Sequence, residues 1–96
     1  MPAHVIVLAT PRPDKAEEAA RYSSAVQPLL AAAGVRPLFR GPVSATVSGA
    51  SGVAIGMVLE FTDLTAAREF FAQDAYQALV DLRDDSFALM EIHIVG

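Results

Sequence analysis

Apolar positions along the chain repeat with two periods. Between Gly52 and Asp63 the sequence reads GVAIGMVLEFTD, a run too short to span a bilayer and too rich in Val, Ile, Leu and Phe for a surface. It predicts a central strand buried on both faces, with Val53, Ile55, Met57, Leu59 and Phe61 on one side. Ala54, Gly56, Val58, Glu60 and Thr62 take the other. Ala3 to Ala9 predicts a second such strand, stopped at Thr10 to Pro13, and Phe87 to Val95 a third. In the last, Ala88, Met90, Ile92 and Ile94 share one face, while Leu89, Glu91, His93 and Val95 share the other. Val35 to Arg40 is a further extended stretch, ended by Gly41-Pro42, and Val43 to Ser51 reads as the arm of a hairpin leading into the central strand.

Between the strands the period changes to three and four. Asp14 and Glu17 form a capping box that opens a helix running to about Ala33, its inward positions being Ala19, Tyr22, Val26, Leu29, Leu30 and Ala33. Pro28 should kink it, and Gly34 is placed to end it in a left-handed conformation. Asp63 or Thr65 caps a second helix with Leu64, Ala67, Phe70 and Phe71 inward. A further capping box, Asp74 with Gln77, starts a short helix on which Tyr76 and Arg83 are neighbours.

The order is β-α-β-β-α-β, the ferredoxin-like split arrangement of the α+β class, with a four-stranded antiparallel sheet. Right-handed crossovers put the helices on one face, and the first and third strands lie in the middle. The other face has nothing within the chain to cover it, so two copies are expected to pack those faces together.

Size and composition narrow the chemistry. A chain of 96 residues forms a single domain spanning 1–96. Its 53% hydrophobic content exceeds what a soluble monomer of this size needs, which again implies a covered face. The net charge is −4 and the basic residues are scattered singly, so nucleic acid is not an expected partner. With no cysteine, thiolate metal sites and disulfides are excluded, and His4 and His93 alone make a poor metal set. The glycines do not open helices as phosphate-binding loops do, so no cofactor is expected. The opening MPAHVIVLATP has no basic leader and no long apolar core, and the expectation is a cytoplasmic protein without a membrane segment.

The ordered set HVIVLA, Asp14, Tyr22, Pro28, Ala33-Gly34, Arg40-Gly41, LEFTD, Ala67, Phe70-Phe71, Tyr76 and Arg83 resembles the dimeric α/β-barrel superfamily. Within it, the chain is most similar to the family catalogued as domain of unknown function thirteen-thirty. That family usually has a Gly pair at Ala33-Gly34 and Trp-Tyr at Phe70-Phe71, so the wall here is greasier. The resemblance implies a homodimer with a cavity between sheet and helices in each subunit. Its superfamily relatives include cofactor-free monooxygenases, cyclases, isomerases and dehydratases.

Several side chains are candidates for chemistry in such a cavity. Glu60, a carboxylate inside an apolar run, is either a general acid or base with its proton affinity raised by burial, or the partner of Arg40 or Arg83. Arg83 with Tyr76 could hold a carboxylate or an enolate oxygen, as against a snorkelling arginine beside a core tyrosine. Tyr22 could add a second donor, and Arg40 could close the mouth over an anion. His4 and His93 lie on neighbouring strands and are the chain's only imidazoles, the side-chain type whose unperturbed pKa is near neutrality, although their face is also a candidate dimer surface. Two functions follow. One is a cofactor-free enzyme moving a proton next to a carbonyl, as an isomerase, cyclase or monooxygenase-like protein, on a small apolar oxygenated or anionic molecule. The other is a non-catalytic small-molecule-binding or interaction homodimer.

Overall fold

A computed structural model describes all of residues 1–96. Its strands are β1 (Ala3–Pro11), β2 (Arg36–Pro42), β3 (Ile55–Phe61) and β4 (Phe87–Val95). Helix α1 (Ala16–Ala32) joins β1 to β2, and α2 (Leu64–Ala72), α3 (Asp74–Gln77) and α4 (Val80–Ser86) join β3 to β4. The sheet is antiparallel in the order β2-β3-β1-β4, so β1 and β3 are central as their apolar composition requires.

Register fixes which residues face the helices. Val5 pairs with Leu59 and Ile94, and Val7 with Met57 and Ile92. These residues share the covered face, where Val5, Leu59 and Phe61 are almost wholly buried against Ala67, Phe70 and Tyr76. Burying each large side chain there contributes roughly 1.5–3 kcal/mol. The opposite face has no helix. It exposes Ile6, Phe39 and Val95 at 37%, 62% and 49%, far above the few per cent typical of the core side.

Four local expectations change. No side chain caps α1: Pro13 starts a short 3-10 turn at Pro13–Lys15, which takes Asp14 inside the turn instead of ahead of the helix. The second capping box is also absent, because the Gln77 amide donates to the Phe71 carbonyl at 2.6 Å and Gln73 stands at the helix start. The last helix is two short ones, since the Leu79 N–H bonds three residues back to Tyr76 and tightens the turn between them. Residues 43–54 form a loop in place of a hairpin arm. Gly49 and Gly52 there have φ of 115° and 83°, and the loop closes through Val43 N–H to Ala54 O at 2.9 Å. The Thr10 hydroxyl ties it to β1, donating to Gly52 O at 2.8 Å and accepting from Ala54 N–H at 3.1 Å.

Other signals hold. Asp63 caps α2 by accepting from Ala66 N–H at 2.7 Å, and Gly34 has φ of 68° just beyond α1. Helix α1 carries Pro28 inside it and does not end there.

Candidate functional site

Helix α1 lies over β1, β3 and β4 and leaves a cavity of about 300 Å³ beneath it. Its walls are mostly aliphatic and aromatic, with Met57, Leu59, Phe70 and Phe87 among them. Polarity enters at few points: Tyr22, Ser23 and Gln27 from α1, Tyr76 from α3, and Arg40 from β2. Arg40 reaches this side because it pairs in register with Met57, a covered-face residue. A second hollow of about 350 Å³ adjoins it toward β2 and shares Gln27, Leu30, Arg40, Met57 and Leu59.

At the buried end, the Tyr22 and Tyr76 hydroxyls share a hydrogen bond of 2.8 Å, and both rings are under a tenth exposed. The Arg83 guanidinium donates to the Tyr76 oxygen at 3.1 Å and to Asp84 at 3.0 Å, and its centre lies 5.9 Å from the Tyr76 ring. Edge contacts from Phe71 to Tyr76 and from Phe87 to Tyr22 hold the two rings in place. Burial, reinforced by the bond to Tyr76, raises the Tyr22 pKa far above its ordinary value, so the phenol stays neutral. For Arg83 burial acts downward, but its bonds to Tyr76 and Asp84 outweigh that and hold its pKa above the usual arginine range.

The proton count is informative. Two phenols sharing one bond use one O–H proton between them and leave the other free. Arg83 also donates to the Tyr76 oxygen, and either phenol can supply the proton of the shared bond, so one hydroxyl proton of the pair is not used in it.

The predicted site residues divide between the two sheet faces. Tyr22, Tyr76 and Arg40 line the cavity. Arg83 is not in its wall and acts there only through Tyr76. Glu60, His4 and His93 stand on the open face. Leu59 and Phe61 take the helix side of β3, so the residue between them must point away. Glu60 binds His4 at 3.2 Å and Arg36 at 3.4 Å, not Arg40 or Arg83. His93 pairs with Glu91 at 2.9 Å rather than with His4, and in register it lies opposite Ile6. Arg36 had no sequence signal beyond its place at the start of β2, and Ser23 and Gln27 fell outside the inward set because they lie at the edge of the α1 stripe.

Crystal structures with this fold include the RPA0582 protein of unknown function from Rhodopseudomonas palustris. It is 18% identical over 98% of this chain and 80% of that one, with a TM-score of 0.81. A dimeric ferredoxin-like protein of unknown function from Jannaschia sp. CCS1 is 12% identical over 100% and 99% of the two chains, with a TM-score of 0.75. A dabb family protein from Mesorhizobium loti, with a ferredoxin-like fold, is 17% identical over 99% and 95%, with a TM-score of 0.69. At these identities the likeness carries the fold alone. No curated protein matches the chain, and no helix is long and apolar enough to cross a membrane. The family model described as Domain of unknown function (DUF1330) matches residues 3–96, and the chain belongs to that family.

Proposed function

We propose that the chain works as a homodimer in which each subunit binds a small, mostly apolar molecule beneath α1, holding one of its oxygens on the Tyr22–Tyr76 pair. The carrying observation is the Tyr22–Tyr76 hydroxyl pair, 2.8 Å apart, in the wall of an apolar cavity of about 300 Å³. That volume is at the small end of ligand pockets and suits a fragment-sized molecule. Self-association is supported by the apolar open face, with Ile6, Phe39 and Val95 exposed, and by the dimeric state of similarly folded proteins.

The donor chain also favours a second reading, a cofactor-free enzyme acting next to a carbonyl. Arg83, through Tyr76 and Tyr22, would stabilise charge developing on an enolate oxygen. The cavity wall contains no carboxylate or imidazole, so the proton would pass to water or to a group on the ligand, and binding is the reading better supported.

The test compares butyrophenone with butylbenzene, which differ by one carbonyl oxygen. Titration followed by NMR should show the ketone binding about fivefold to tenfold tighter, as one neutral hydrogen bond provides. Tyr22→Phe should erase the difference. Equal binding of the two probes, or a preference that persists in both Tyr22→Phe and Tyr76→Phe, would defeat the assignment.

A further inference from the structure

The exposed rim of the cavity differs from its buried end. Arg40 is the one charged side chain in the wall. The chain's ion pairs engage Lys15, Arg36, Arg83 and the two histidines, and Arg12 donates to the Asp85 carbonyl. Arg40 takes part in none of these. It stands where the two hollows meet, with Gln27 of α1 lining both beside it. A guanidinium presents a planar fork of donors that matches a carboxylate, and the Gln27 amide adds neutral donors. One cation balances one negative charge. No second cation lines either hollow, so a phosphate dianion would be left undercompensated.

Resting on the pocket reading above, we infer that the ligand is a small monocarboxylic acid whose apolar body carries a carbonyl or hydroxyl oxygen. The carboxylate meets Arg40 at the rim, the body fills the space between Met57 and α1, and the oxygen accepts from the Tyr22–Tyr76 pair. Arg40 thereby sets the preference for acids over neutral molecules of the same shape, while the phenols set the preference for an oxygenated body.

The experiment uses benzoylpropanoate and its near-isosteric amide, benzoylpropanamide, titrated into the full chain by NMR or calorimetry. Both carry the ketone oxygen, and only the first carries a charge. The acid should bind about fivefold tighter, the upper range for an ion pair open to solvent. That advantage should shrink as salt is added. Arg40→Gln should close the gap by weakening the acid and leaving the amide unchanged, while Arg40→Lys keeps part of it. Tyr22→Phe should weaken both probes alike. The Arg40 side chain is exposed and takes part in none of the side-chain hydrogen bonds or ion pairs described above, so its variants should keep the wild-type circular dichroism and melting temperature. If the amide binds as tightly as the acid, or if the gap survives in Arg40→Gln, the inference about Arg40 is overturned and the pocket reading stands. If the folded wild-type protein binds neither probe, both fall together.

Discussion

The two faces of the sheet are built from the same strands by alternate residues, yet they carry different kinds of polarity. Under the helices, two phenols are tied to each other and backed by Arg83, Arg40 stands at the rim, and the void beside them is mostly apolar. On the open side, charged groups and imidazoles cluster as His4, Glu60 and Arg36 across three strands, with His93 and Glu91 further along, among exposed aliphatic and aromatic groups. The side chains of the first cluster are 38%, 24% and 75% exposed, so water still screens them. The difference shows that a titratable residue inside an apolar run does not mark the pocket unless the strand's parity turns it there.

This contrast can be broken by experiment. The largest effect should come from Val58→Asp. Val58 lies between Ile6 and Phe39 in register on the open face, two residues from Glu60 on the same strand. A charge there should weaken self-association at least tenfold in sedimentation velocity, because a desolvated, unpaired carboxylate is costly and Glu60 repels it. It should leave binding of the ketone probe intact. Loss of probe binding in a folded monomer would mean that the two faces are not independent.

Alkaline stability sharpens the comparison from the covered side. Tyr22 has a pKa raised above its ordinary value of 10.0. Its neutral form is therefore favoured in the folded chain, and the stability this provides is whole below pH 10 and lost as the pH rises beyond it. Above pH 10 the unfolding free energy should fall by up to about 1.4 kcal/mol per pH unit from this group. Thermal melts between pH 9 and pH 11 should show that slope reduced in Tyr22→Phe. An unchanged slope would remove Tyr22 as its source.

The smallest effect should be that of Glu60→Gln. Since its partners are partly exposed, the variant should lose no more than about 1 kcal/mol of stability and should bind the pocket probes like wild type. A change in probe affinity as large as that of Tyr22→Phe would restore Glu60 to the pocket.

How much was legible beforehand follows from these residues. Strands and helices were readable because Val5, Val7 and Ala9 repeat at two, as do Met57, Leu59 and Phe61, whereas Ala19, Tyr22, Val26 and Leu30 recur at three to four. Tyr76 and Arg83 were expected to be neighbours on one helix, and they do meet, but across the turn between α3 and α4; Tyr22 was placed by its inward helical position, and Arg40 only by its place before Gly41. Glu60 was misassigned because both flanks of its run are apolar, and alternation alone does not say which side the helices cover. The partnership of Tyr22 with Tyr76 joins residues 54 apart, a pairing that only the packing of α1 against α3 creates. The two missed caps at Asp14 and Asp74 show a different limit, because a proline or a neighbouring carbonyl can claim the local backbone first.

The tie between Thr10 and the ends of the 43–54 loop bears on what the fold tolerates. Val43 and Ala54 are bonded to each other, and Ala54 in turn to Ala9, so the strands on either side are held in place whatever lies between them. Lengthening a flexible connection costs only about 0.6 kcal/mol per doubling. This segment is therefore where the chain can gain or lose residues at least expense to the sheet, and where extra contacts can be grafted without disturbing the cavity.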